Sequence, residues 1–176
     1  MSFFPTRDRE ELIVIELDNE DPSKHIAGLL ENAETKIQFS TALSDFYKSE
    51  EIQNSFVDIA NRGISVDLLL DAGIDWEAKK KELATIFNAF TASNKLKVKQ
   101  SKDKIPHWLI IDNGKHIRVE QEHKNDKNVI KTSNAILYFT TSETDEAVTF
   151  LITSIRDSFK EWWQESEEKP ISVEGQ

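Results

Sequence analysis

The apolar positions of this chain change between short continuous runs, every-other spacing and helical spacing, and the order of those changes lays out its elements. "LIVIEL", Leu12 to Leu17, is an apolar run that suits a buried strand, though a helix segment gives the same pattern over so few residues. "DPSKHIAGLLENAE" opens with Asp and Pro at a helix start and puts Ile26, Leu29, Leu30 and Ala33 on one face, as in an amphipathic helix. In "TKIQFSTA", Ile37 and Phe39 alternate with polar neighbours, as in a strand covered on one side. "SEEIQNSFVDIANRG" supplies a serine cap, early glutamates, Ile52, Phe56, Ile59 and Ala60 at helical spacing, and Gly63 as the stop.

"ISVDLLLDAG" is almost continuously apolar, which suits an interior strand with helices over both faces. Strand, helix and strand in this rhythm predict a parallel crossover. "DWEAKKKELATIFNAFTA" reads as one further helix, and "KLKVKQ" as a strand that is either a solvated edge with protective lysines or the rim of an anion site. Asp71, Asp75 and Glu77 follow the interior strand, at the end where α/β folds place sites, and Asp75 is expected to cap the helix. "NAILYFTT" is another strand, and "SETDEAVTFLITSIRDSFKEWW" a long helix with Ser142 as cap and Ala147, Leu151, Ile155 and Phe159 on its core face. Trp162 and Trp163 diverge by roughly 100° on a helix, so one is expected in the core and the other marks a candidate dimer interface. No repeat or interior linker interrupts the pattern. The expectation is one α/β domain over residues 1–166, followed by a flexible acidic tail over 167–176.

"KIPHWLIIDNGKHIRVEQEH", Lys104 to His123, holds three of the four histidines. Asn-Gly between apolar residues is the strongest short-range sign of a two-residue type I′ turn. With Asn113 and Gly114 as the loop, Asp112 pairs with Lys115, Ile111 with His116, Ile110 with Ile117, Leu109 with Arg118, Trp108 with Val119, and His107 with Glu120. Alternation then gives one face to Trp108, Ile110, Ile117 and Val119, which must be buried. The other face takes Ile105, His107, Leu109, Ile111, His116, Arg118 and Glu120. His107 and Glu120 become cross-strand neighbours about 5 Å apart at Cβ, with Arg118 one pair further along. His123 lies three residues beyond Glu120, where the strand is expected to give way to loop.

Composition adds limits to this picture. A chain of 176 residues with 38% hydrophobic content suits one domain with an ordinary core. No stretch approaches the roughly 18 apolar residues of a membrane span, and "MSFFPTRDRE" lacks the features of a signal peptide, so a cytoplasmic location is expected. Without cysteine there are no disulfides and no thiolate metal sites. The net charge of −10 argues against indiscriminate nucleic-acid or anionic-membrane binding. Its distribution softens that argument: residues 95 to 131 hold ten Lys or Arg against five Asp or Glu, a local +5 that leaves −15 elsewhere.

The element order, with "HIAGLLENAETKIQFSTA", "ANRGISVDLLLDAG", the "HWLIIDNGKHIRVE" hairpin and "NAILYFTTSETDEAVTFLITSIRDSFKEWW", resembles the phospholipase D-like superfamily over most of the chain. The resemblance implies a mixed central sheet with helices on both faces. It also implies a hairpin carrying a nucleophilic His, a Lys two residues later and an Asp before the turn. Aligning that Asp with Asp112 puts Ile105 at the nucleophile position and His107 at the Lys position, with Glu120 and Gln121 where Gly and Ser are expected. Taking His107 as the nucleophile instead leaves Leu109 at the Lys position. Either way one group is missing, because an isoleucine has no lone pair for attack on phosphorus and a leucine cannot neutralise phosphoryl charge.

The expected function is therefore a catalytically degenerate phospholipase D-like domain of the single-motif type. His107, Arg118, Glu120 and His123 would bind a small anion, a phosphate-bearing ligand or a partner protein, with no cofactor. The alternative is a phosphodiesterase or nuclease with a rewired His nucleophile; by resemblance, single-motif nucleases build one site from two chains, so a homodimer is expected there. His107, Glu120 and His123 also form a ligand set used by zinc and non-haem iron. The bland alternative is a surface Arg118–Glu120 pair beside incidental histidines.

Overall fold

In the computed structural model, the apolar runs flanking the "SEEIQNSF" helix become neighbouring parallel strands. The structure describes residues 12–17, 22–43, 45–124, 130–139 and 146–171, with side chains described for 25–43, 47–119, 146 and 149–171. The chain runs β1 (Leu12–Leu17), α1 (Pro22–Glu31), β2 (Lys36–Thr41), α2 (Glu50–Asn61), β3 (Ser65–Leu70), α3 (Trp76–Glu82) and α4 (Ala84–Thr91). It continues through β4 (Leu96–Gln100), β5 (His107–Ile111), β6 (His116–Lys124), β7 (Ile130–Phe139), α5 (Glu146–Glu165) and β8 (Glu167–Lys169). One sheet of eight strands takes the order β1-β7-β6-β5-β2-β3-β4-β8. The neighbours β2, β3 and β4 are parallel and all other pairs antiparallel, so the fold is the expected mixed α/β sheet.

Each sheet face has its own apolar layer. Ile26, Leu30, Ile52, Phe56, Phe87 and Phe90 from α1, α2 and α4 cluster with Ile37, Phe39, Val66, Leu68 and Ile111. Ile155 and Phe159 of α5 cluster on the opposite side with Leu69, Ile110 and Ile117. Complete burial of such side chains stabilises by about 1.5–3 kcal/mol each before the entropy of ordering is counted. Arg62, from "ANRG", ties α2 to α1. Its Nη1 donates to Ala33 O at 2.8 Å, its Nη2 to Leu30 O at 3.0 Å, and its Nε pairs with Asp58 at 2.7 Å. The guanidinium thus satisfies the open carbonyls at the end of α1.

Several local expectations are corrected. The single helix over 75–92 is two, because Leu83 (φ −110°, ψ 30°) leaves helical geometry between α3 and α4. That break sets Trp76 of α3 and Ile86, Phe87 and Phe90 of α4 against one core. The strand β4 is not the sheet edge over Val98–Gln100, because Glu167–Lys169, expected in the tail, pair with it as β8. Trp76 Nε1 donates to Pro170 O at 3.0 Å and Ile171 packs on the core, holding this segment down. On α5, Leu151 is 38% exposed, and Ile152 turns to the sheet in its place, in step with Ile155 and Phe159. Ser142 and the side chain of Ala147 lie outside the described residues. Both tryptophans reach the α5 layer, Trp162 against Trp108 (centroids 4.7 Å apart) and Trp163 stacked on Phe159 (6.0 Å). Each is half-buried, so the 100° between them straddles one apolar ridge.

The hairpin keeps the expected register in all five pairs from Ile111↔His116 to His107↔Glu120. Its turn is different. Asp112, Asn113 and Gly114 all take positive φ (48°, 60° and 101°), so the loop spans Asp112 to Lys115 and Asp112 is freed from pairing. The Asp112 carboxylate instead accepts from Glu34 N (2.8 Å), Thr35 N (2.7 Å), Lys36 N (3.0 Å) and Thr35 Oγ1 (2.8 Å). Burial alone would raise its pKa, but these bonds, from Lys36, Glu34 and Thr35, outweigh burial and hold it below 3.8. At the other side of the turn, a Cβ on Gly114 would stand 2.6 Å from Ile152 Cγ2.

Three outcomes follow from the turn. Asp112→Asn, which tolerates the left-handed backbone, should lower stability by about 2–3 kcal/mol in urea melts at pH 7, and Asp112→Ala by more. The folded pKa is depressed, so this contribution is present above 3.8 and fades as the pH falls below it; wild type and Asp112→Asn should converge in acid. Gly114→Ala combines a collision with a positive φ and should cost about 2–3 kcal/mol, with Gly114→Asn no better because the collision remains. Burial first, and Lys115 second, depress the pKa of His116 below 6.5, against smaller opposing pulls from Asp112 and Glu34. The unfolded chain then takes up a proton that the folded chain refuses. Melting temperature should therefore fall as pH drops through 6.5, and fall less steeply in His116→Gln.

Candidate functional site

The carboxyl ends of parallel strands β2 and β3 meet the start of β5 at one end of the sheet, where unpaired strand ends leave backbone and side chains free for chemistry. Asp71 follows β3 directly and its N–H donates to Thr41 O at 3.0 Å. Its Oδ1 accepts from Ala72 N (2.8 Å) and Ile105 N (3.1 Å), while Oδ2 lies 3.5 Å from His107 Nε2. Both side chains are mostly enclosed, His107 14% and Asp71 13% exposed. At that distance the contact is chiefly electrostatic and strengthens when the imidazole is protonated.

Ser40 shapes the approach to His107. Its Oγ accepts from Trp108 N at 2.9 Å and donates to Pro106 O, filling in for the β2–β5 ladder, which stops at Phe39↔Leu109. Pro106 has no N–H to offer a ladder, so the strand begins only at His107. That is why Ile105 departs from its expected face. It is bonded through its N–H to Asp71, and its side chain is buried in the α5 layer with Ile110 and Phe159. Of the two positions that the resemblance offers a nucleophile, 105 and 107, the first thus holds an apolar, buried residue.

Arg118, opposite Leu109, is 5% exposed and lines a small cavity with His107, Thr41, Phe39, Tyr47 and Phe56. The space holds about one water molecule. The surrounding rings pack as a trio, with Phe39 6.2 Å from Tyr47 and 5.6 Å from Phe56. The Arg118 guanidinium is thus enclosed, where the reading of a surface pair expects it solvated.

Of the four sequence candidates, His107 and Arg118 line this cavity together. Glu120 is the register partner of His107 and of Asn134, but its side chain lies outside the described residues. β6 does not give way to loop at His123, since pairing runs without interruption to Lys124↔Ile130. Regular alternation therefore sets position 123 on the strand face opposite 118 and 120, and its side chain also lies outside the described residues. His116 sits four residues from Glu120 along β6, roughly 13 Å away at the turn, so the hairpin's histidines do not converge. Among the described residues no three His, Asp or Glu side chains are grouped to share a cation. Asp71 is the partner that the pattern did not pair with His107. Its one signal was its place after an interior parallel strand, where Asp75 caps α3 through Ala78 N (3.1 Å) and Glu77 pairs with Lys80 (3.0 Å). No described helix is long and apolar enough to cross a membrane.

No family model and no curated protein matches the chain. Solved structures do. TrmBL2, an archaeal chromatin protein reported to show a novel mode of DNA binding, superposes with a TM-score of 0.62 at 17% identity, over 89% of this chain and 54% of that one. Nuc from Salmonella typhimurium, a phospholipase D family member, superposes with a TM-score of 0.61 at 12% identity, over 92% of this chain and 99% of that one. Phosphatidylserine synthase from Haemophilus influenzae Rd KW20 gives 0.62 at 13% identity, over 90% of this chain and 40% of that one. The chain therefore spans about half of the archaeal protein, less than half of the synthase and nearly all of Nuc. What these likenesses establish is the fold: a phospholipase D-like α/β sheet.

Proposed function

We propose that the domain binds a small oxyanion, of the kind a phosphate-bearing ligand presents, at the cleft of His107 and Arg118, and does not turn it over. The observation that carries this reading is the nearly inaccessible Arg118 lining the same cavity as His107, whose imidazole is held by Asp71. Arg118 supplies a fork suited to two oxygens, His107 a further donor when protonated, and Glu120 a counter-charge from the facing strand position. Position 123 falls on the opposite strand face, so His123 is left out of this set. Asp71 joins it as the group that orients His107. The cavity holds about one water molecule, so a single oxygen of the anion enters and the rest of the ligand stays at the mouth.

Loss of turnover is supported by Ile105, apolar and packed under α5, if the nucleophile position is 105, and by Leu109 at the Lys position if it is 107. DNA binding, named for the archaeal neighbour, is disfavoured for this chain by its net charge of −10. The boundary between a domain over 1–166 and a tail beyond belongs to this proposal only in a shifted form, with residues to Ile171 counted in the domain because β8 and Ile171 pack on it.

Isothermal titration with inorganic phosphate, adenosine monophosphate and glucose 6-phosphate tests the reading. At least one should bind saturably, and His107→Ala should weaken it about tenfold with the melting temperature little changed. Absence of heat with all three, or indifference to His107→Ala, would overturn the proposal. Release of nitrophenol from bis(p-nitrophenyl) phosphate that disappears in His107→Ala would replace it with the phosphodiesterase reading.

A further inference from the structure

A second feature lies at the other side of the sheet, where the outer edge of β4 is only partly covered. Lys95 O accepts from Val66 N (2.8 Å) and Ser101 N donates to Leu70 O (2.9 Å). Odd-numbered residues of β4 therefore aim their backbone groups at β3, and even-numbered ones aim outward. β8 takes up two of the latter, Val98 and Gln100, as register partners of Lys169 and Glu167. No register pair continues past Lys169, and the outward-facing Pro170 carbonyl accepts from Trp76 Nε1. Among the described residues no strand partner meets Leu96 on its outward side, where it lines a groove of about 440 Å3.

The groove has the composition of a small-molecule site. The half-buried Trp163 and Ile171 give it its accessible apolar wall, with Phe90, Leu96 and Val98 nearly enclosed behind, and its volume falls within the usual range for ligand pockets. Two polar side chains on its rim, Asn94 and Lys97, make no hydrogen bond or ion pair among the described residues. The other cations are engaged, Lys99 with Trp163 O (3.0 Å) and Lys169 with Glu167 (3.1 Å). Three lysines against one glutamate, Glu168, make this a locally positive place on a chain of net charge −10.

We propose that this groove is a binding site for a small amphipathic carboxylate, an alkyl or aryl chain ending in one carboxyl group. The carboxylate oxygens accept from Leu96 N–H, the Asn94 amide and the Lys97 ammonium, while the hydrocarbon lies against Trp163 and Ile171. The site is separate from the cleft of His107 and does not depend on the reading given to it.

Titration of the full chain with octanoate, and in parallel with the uncharged octanamide, tests the assignment. Octanoate should bind saturably with a Kd on the order of 1 mM, and octanamide at least about tenfold more weakly. Lys97→Ala, an exposed position, should weaken octanoate about fivefold, as should Asn94→Gly, which keeps the positive φ of 51°. His107→Ala should leave octanoate binding unchanged. Equal affinity for acid and amide, loss of binding in His107→Ala, indifference to both groove variants, or no saturation would each overturn the proposal.

Discussion

One carboxylate joins the two halves of this sheet. The parallel strands β2, β3 and β4 form from segments that follow one another with helices between, but the hairpin of β5 and β6 must dock on β2 in the opposite sense. Asp112 fixes where it docks, by gathering the first N–H groups of the link into β2 around its side chain. With Ile111 thereby set against Ile37, every later pair along β5 is determined, down to the start of the strand at His107. A slip of one residue would turn Arg118 and His107 away from their cavity and put Trp108 and Val119 in their place. The same turn presses Gly114 against Ile152, so the carboxylate also sets the height of α5.

The end of the sheet far from that clasp carries the polar groups that packing does not require. Thr41, Asp71 and Arg118 are all nearly inaccessible, and Thr41 and Arg118 share a cavity with Phe39, Tyr47 and Phe56. Asp71 is well served, with two N–H donors and an imidazole. Replacing such groups by apolar ones of similar shape often raises stability, so this strand end carries a desolvation cost that the surrounding core must offset.

Much of this was legible in the chain. Asn113-Gly114 flanked by apolar residues gave the hairpin register, because side-chain alternation and a short loop leave few choices. The same reasoning missed that Asp112 would leave the ladder, since its partners at 34–36 are remote in sequence. It also placed Ile105 by alternation through Pro106, where alternation no longer holds. Leu83, Leu151 and β8 were misread for a related reason: a helix break, a rotation of α5 by one residue and the pairing of "EEK" are decided by neighbouring surfaces. Asp71 sat at a recognisable strand end, but its pairing with His107 needed the crossing of β3, β2 and β5 in space.

The sheet also carries a temporal constraint. β1 has a single partner among the described strands, β7, and Leu12 is matched to Phe139. A chain made from its amino end must therefore hold "LIVIEL" unpaired until nearly all of the domain has been synthesised. Until β7 is made, "LIVIEL" lacks its described partner, and an unpaired apolar strand is a template for pairing with other chains.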